Sequence, residues 1–225
     1  MLSILNQRGG NHNSCEDSVW VKEAEDFVVG GVFDGCSTGI NSHWASQTIA
    51  YVFESNSPSF RSTSDGMAIE VLFQLRKISM DLDIDPNTQL LSTCVLFYYN
   101  KKNKTLEIRC FGDGVYYIND IEYVVDQGNV PNYLGYQVFN GSGKQIQFIE
   151  KYPSVLYENV DRFIICSDGI QAIKESQYEE QTVNWQELLL SPPKSENYLK
   201  RMWNILKSKK FTLSDDLTIV SYANS

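Results

Sequence analysis

The sequence predicts a layered α+β fold, with helices packed outside β-sheets. Two observations carry this reading. Apolar, β-branched runs of strand length fall at 18–22, 27–33, 162–167 and 217–222, with a meander of four more between 91 and 125. Between these runs lie stretches whose apolar residues recur at helical spacing, at 42–53, 65–78 and 195–207. Neither an internal repeat nor a long linker interrupts the pattern, so residues 1–225 read as a single domain.

Taken in order, the first sixteen residues give a strand and then a polar loop, Asn11 to Ser14, that leads to Glu16 and Asp17. Two strands follow, and the second, Val28 to Phe33, is apolar at nearly every position, as a strand covered on both faces should be. Gly35 to Asn41 is a loop of small residues. The first helix places residues 44/45, 48/49 and 52/53 on one face. The second starts at an N-cap, Asp65, and aligns Met67, Val71, Leu75 and Ile78. Asp81 to Asn87 reads as an acidic linker. The meander 91–99, 106–111, 115–118 and 121–125 turns at 101–104, at Gly112-Asp113-Gly114 and at Asn119-Asp120. Residues 126–145, with Gly128, Pro131, Gly135, Gly141 and Gly143, read as irregular and mobile. Strands are expected near 146–150 and 162–167, then a helix with Leu199, Met202/Trp203 and Leu206 on one side, then the last strand.

Composition is that of a folded protein, 42% hydrophobic and 21% charged. A net charge of −9 argues against general affinity for nucleic acid or an anionic membrane, both of which require basic surface. The five cysteines are odd in number and without a CxxC pair, and three lie in apolar runs, so they read as reduced thiols of a cytoplasmic protein. No secretion signal and no membrane-spanning run is expected.

Chemistry concentrates where apolar strands meet acids. Val28 to Phe33 runs directly into Asp34-Gly35, and Phe163 to Cys166 into Ser167-Asp168-Gly169. Asp215-Asp216 opens the strand from Leu217, and Glu16-Asp17 precedes Val19-Trp20-Val21. A carboxylate at the mouth of a buried strand is costly unless it is paired or binds a cation. Several such ends, far apart in sequence, point to one carboxylate cluster assembled by folding, an oxygen-rich set of the kind that Mg²⁺ or Mn²⁺ prefers.

The order of these motifs resembles that of the metal-dependent Ser/Thr protein phosphatases of type 2C, the PPM family, in its bacterial form. Glu16-Asp17 is similar to the family's early acidic pair, Gly31-Val32-Phe33-Asp34-Gly35 to its main signature, and Leu91-Ser92-Thr93-Cys94 to its GST strand opening. Phe111-Gly112-Asp113-Gly114 resembles its GDS turn, Ser167-Asp168-Gly169 its SDG, and Asp215-Asp216-Leu217-Thr218 its DD(I/L)T ending. The resemblance implies a four-layer α-β-β-α sandwich, two antiparallel sheets flanked by helices, with a binuclear Mn²⁺ or Mg²⁺ centre at one end. By it, Asp17, Asp34, Asp168 and Asp215 are metal ligands, Gly35 contributes its carbonyl, and Glu16 contributes a second-shell or water-mediated contact. Asp113 would help hold a third, weaker ion with Asp168. Asp34 and Asp168 carry catalysis through the ions they hold. Asp216 reads as a strand cap or an indirect contact.

Two positions depart from the family. Many members carry His directly after the Asp-Gly, where it can act as general acid, and this chain has Cys36. Many have Arg four residues before the acidic pair, binding substrate phosphate, and this chain has His12, with Arg8 upstream. Phosphate capture is therefore open between His12, Arg8 or neither, and His12 is the catalytic candidate. The implied function is hydrolysis of phosphoserine or phosphothreonine on proteins, with a Ser/Thr kinase or its target as partner. The alternative is a pseudophosphatase that binds a phosphoprotein or kinase without turnover.

Overall fold

The computed structural model describes residues 1–39, 42–56, 64–128, 131–174 and 184–224. Two five-stranded antiparallel sheets are stacked face to face. The first runs β1 (Leu2–Gln7), β12 (Leu217–Ala223), β9 (Arg162–Cys166), β6 (Gly114–Ile118), β7 (Ile121–Val125). The second runs β2 (Asp17–Glu23), β3 (Phe27–Gly35), β4 (Ser92–Asn100), β5 (Thr105–Phe111), β8 (Val155–Tyr157). A small ladder pairs β10 (Ile173–Lys174) with β11 (Thr212–Leu213).

Alternation along the strands builds three cores. Val28 and Val32 of β3 join Val95, Phe97 and Tyr99 of β4 and meet Phe163, Ile165, Val220 and Tyr222 of the first sheet. Their neighbours Val29 and Phe33 face the other way, onto α1 (Ser42–Asn56) and α2 (Ser64–Leu82) through Ile49, Phe53, Val71 and Leu75. That explains why β3 is apolar at almost every position. The outer face of the first sheet packs Ile164, Cys166 and Ile219 against α5 (Trp185–Leu189) and α6 (Tyr198–Ser208) through Leu189, Leu199, Trp203 and Leu206. Helices, sheet, sheet, helices: the architecture is the four-layer sandwich expected of the sequence.

Some expectations are corrected. The four strands 91–125 do not form one meander, because the chain leaves the second sheet after Phe111 and enters the first at Gly114. Gly112, at φ +83°, provides the left-handed turn for that crossing, and a side chain there would press on Thr93. Residues 146–150 are not a strand but part of α4 (Ser142–Lys151), which buries Phe148 and Ile149 and leaves Ile146 exposed. The alternation of Gln145, Ile146, Gln147 and Phe148 imitates a strand, whereas the buried pair is consecutive, as on a helix face. Arg109, itself buried, fastens the end of α4 by donating to the carbonyls of Ile149 and Tyr152 at 2.7 and 2.8 Å. The linker 81–87 contains the start of a short helix, α3 (Pro86–Gln89), capped by Asp85. Residues 131–141 are anchored rather than loose, with Leu134 and Val138 fully buried around a 3₁₀ turn, Leu134–Gln137. α2 begins at Ser64, and the cap expected at Asp65 lies outside the residues whose side chains are described.

Phe163, fully buried between the sheets, touches the rings of Phe97, Tyr99 and Tyr222. Phe163→Ala should lower stability by about 3–5 kcal/mol, seen as a drop in the urea midpoint.

Candidate metal centre

Strand register brings the acids together. In the β2–β3 ladder Asp17 is the direct partner of Asp34. Residues directly opposite on antiparallel strands project to the same side. Val19 and Val21 on one strand and Val28 and Val32 on the other turn into the space between the sheets, so both aspartates face it at its open end. The amide of Gly35 closes the pair by donating to the Glu16 carbonyl at 3.1 Å.

The other sheet delivers its acids to the same end. β9 and β12 are neighbours, with Cys166 opposite Ile219. Beyond that pair Ser167 and Thr218 exchange bonds, the Ser167 amide donating to the Thr218 carbonyl and the Thr218 amide to the Ser167 hydroxyl, both at 3.0 Å. Asp168 therefore leaves one strand where Asp215 and Asp216 enter the other. The residue after Asp168 must be glycine, since a β-carbon at Gly169 would sit 1.7 Å from the Asp216 carbonyl oxygen.

Crowding shows in the electrostatics. Asp17 is 3% exposed, and neither carboxylate oxygen has a hydrogen bond of good geometry. Burial pushes its pKa up to about 7, against the pull of the Ser167 and Thr218 side chains. Burial, followed by the charges of Asp17 and Asp168, raises Asp34 well above the carboxylate range, and burial raises Asp168 as well. In the ladder the Asp34 carboxyl stands directly opposite Asp17, and the charge of Asp168 acts on it as well. Glu16 Oε2 is a further buried oxygen without a partner. Among the described residues, no three or more His, Cys, Asp or Glu side chains are already arranged to hold an ion. The donor set nevertheless fits hard divalent cations, being all oxygen, with buried oxygens that accept no hydrogen bond on Asp17 and Glu16 and an exposed carboxylate at Asp168. A cation would have to displace the protons that burial favours on these carboxyls and draw the pairs into one shell.

Asp216 differs from its neighbour. It is 2% exposed and accepts the amides of Gly9, at 2.6 Å, and Glu16. It thus ties the loop before β2 to the start of β12. His12 lies on this clamp, its Nδ1 2.9 Å from Asp216 and its Nε2 3.6 Å from Asp215. Burial lowers the His12 pKa, but the carboxylates of Asp216, Glu16 and Asp215 outweigh it and the net shift is upward. Arg8 is exposed and donates to the Asn13 carbonyl at 2.9 Å. Asp113 and Asp168 share a cleft of about 220 Å³ with Asp126 and Gln171. Asp113 accepts the Gln127 amide at 2.6 Å. At Cys36 burial raises the thiol pKa, while hydrogen bonds from Thr38 and Tyr133 bring the net shift downward. Tyr133 has no sequence motif to mark it, because its place depends on how residues 131–141 pack.

Neither a protein-family model nor a curated protein sequence matches the chain. Solved structures do. A variant of a bacterial serine phosphatase aligns over 100% of this chain and 98% of its own, with a TM-score of 0.68 at 14% identity. The fold is that of the bacterial type 2C serine phosphatases. Serine/threonine phosphatase Stp1 from Staphylococcus aureus aligns over 100% of this chain and 94% of its own, at TM-score 0.63 and 13% identity. RsbX in complex with magnesium aligns over 97% and 92%, at 0.58 and 15%. On this type 2C fold no described helix is long and apolar enough to cross a membrane, and all five cysteines are free.

The raised pKa of Asp17 has a stability signature. Its folded value, about 7, lies above its ordinary 3.8, so the folded state holds the extra proton and loses stability as pH rises through that window. In the metal-free protein, wild-type stability relative to Asp17→Asn should fall by a few kcal/mol between those two pH values, measured by urea unfolding. A flat difference would contradict the burial of this carboxyl.

Proposed function

We propose that the chain is one metal-dependent phosphatase domain that hydrolyses phosphoserine or phosphothreonine on proteins. The observation that carries the reading is the meeting of Asp17 and Asp34 from one sheet with Asp168 and Asp215 from the other, on a fold shared with serine phosphatases. These carboxylates, with the Gly35 carbonyl, would hold two Mn²⁺ or Mg²⁺ ions, and Glu16 would contact them through water. Asp113 and Asp168 would hold a third, weaker ion in the cleft they share. The magnesium bound by RsbX supports the choice of ion.

When bound, such cations would lower the pKa of a coordinated water and neutralise charge on a phosphoryl group. The chain's own part is positional. Register fixes Asp17 against Asp34, and the Ser167–Thr218 exchange fixes Asp168 beside Asp215. Asp216 holds the Glu16 loop so that the acidic pair keeps its place. His12 supplies positive charge at the rim, toward the incoming phosphoryl group. The physiological substrate is a phosphoprotein, with the opposing Ser/Thr kinase or its target as partner, in the cytoplasm.

The test is hydrolysis of p-nitrophenyl phosphate and of a phosphothreonine peptide, with and without Mn²⁺. Activity should require the ion. Asp34→Asn and Asp168→Asn should each cost at least ~100-fold while far-UV circular dichroism stays that of the wild type. Full activity in either variant would refute the ligand assignment. Metal binding by calorimetry without turnover on either substrate would make the protein a binding module, a reading favoured by the Cys36 and His12 departures.

A further inference from the structure

The first sheet ends in an open edge that leads to the carboxylate cluster. β7 is its last strand, joined to β6 by Asn119 and Asp120, both at positive φ, 45° and 75°. A two-residue turn of this kind is closed by a hydrogen-bonded pair, here Ile118 and Ile121, so bonding recurs at Tyr116–Tyr123 and Gly114–Val125. The amide of Asn119 points the opposite way and reaches the Arg162 carbonyl of β9 at 3.1 Å, as this alternation requires. Glu122 and Val124 therefore aim their backbone amides and carbonyls away from β6. Among the described residues no protein group bonds to them.

Proteins guard such an edge with Lys, Pro or a bulge. β7 has none of these, and its five pairs with β6 run without a break. Its one charged side chain, Glu122, is engaged by the Tyr117 hydroxyl at 2.6 Å. Ile121 and Val124 are 60% and 52% exposed, so the edge shows apolar side chains on both faces. The strand also has a direction. It runs toward the acids, and its last residues, Val124 and Val125, line the cleft that holds Asp113, Asp126 and Asp168. A segment added to this edge would be delivered to the ligand end. We propose that β7 is the docking edge for the phosphorylated segment of the protein substrate, which adds to the sheet as an antiparallel strand. The phosphorylated residue leads, at the cleft, and the residues after it pair with Val124 and then with Glu122. The inference rests on the phosphoprotein reading of the site.

The probe is a phosphothreonine peptide continued by alternating valine and serine, used for kinetics with Mn²⁺. Its phosphonate analogue, which resists hydrolysis, serves for calorimetry, and p-nitrophenyl phosphate is the small-ester reference. Glu122→Pro removes the free amide, a change that an edge strand tolerates where the N–H faces solvent. Glu122→Ala removes the side chain and keeps the amide. Glu122→Pro should weaken peptide binding and raise the peptide KM about tenfold, with p-nitrophenyl phosphate kinetics and far-UV circular dichroism those of the wild type. Glu122→Ala should bind the peptide as the wild type does. On the unaltered protein, N-methylation of successive residues after the phosphothreonine should alternate between a loss of that size and little effect. A uniform response along the peptide, equal losses in Glu122→Ala and Glu122→Pro, or no peptide binding by the wild type would each overturn the docking edge. So would a wild-type dimer in sedimentation that Glu122→Pro dissociates, since β7 would then serve a second copy. Peptide binding with the alternating pattern but without hydrolysis would keep the edge and refute the enzyme. Mn²⁺-dependent peptide hydrolysis indifferent to Glu122→Pro and to N-methylation would do the reverse.

Discussion

Everything at the functional end of this protein follows from one unfavourable contact, the placing of Asp17 directly opposite Asp34 in an antiparallel ladder. Like charges at such positions destabilise a sheet, and burial adds to the cost. The register cannot relax to separate them. A slip of β2 by one residue would turn Val19 and Val21 out of the space between the sheets and bring Trp20 into it. The hydrophobic pattern of two strands thus holds two carboxylates together against their repulsion, and burial with the charge of Asp17 raises the pKa of Asp34.

The sandwich tolerates this strain because its stabilising contacts lie elsewhere. The middle of the inter-sheet core is aromatic, with Phe97, Tyr99, Phe163 and Tyr222 in mutual contact. Each sheet is also backed by its own helices, so neither face of β3 or β9 depends on the open end for burial. A site made of local conflict requires a scaffold with stability to spare, and three separate cores provide it.

Much of this was legible in the sequence because its physics is local. A strand that stays apolar to its last residue and then ends in Asp-Gly declares itself without neighbours, and Asp34 and Asp168 stand where that reading places them. The strand pattern 91–125 was also correct strand by strand, yet its division between two sheets was not visible. Gly112-Asp113-Gly114 suits a hairpin as well as a crossing, and only the partners of β5 and β6 decide. The helix at 142–151 was hidden by a short alternation. What stabilises it includes Arg109, which lies far away in sequence.

The adjacent pair Asp215-Asp216 shows how far a motif fixes chemistry. Two identical residues in succession at a strand entrance point to opposite sides, and the structure gives them opposite surroundings. The side chain of Asp215 is 50% exposed, whereas that of Asp216 is 2% exposed with two backbone amides upon it. Asp216, with an amide on each oxygen, is a poor candidate for a cation, whereas Asp215 accepts one amide, that of Asp216 at 2.8 Å, and keeps its other oxygen open. The same amides explain why both must be acids. Asp216 holds in place the loop that carries Glu16 and Asp17, and without that hold Asp215 would face an acidic pair free to swing away. Ligand and fastening are thus separate tasks, and it is backbone geometry, not residue type, that assigns them.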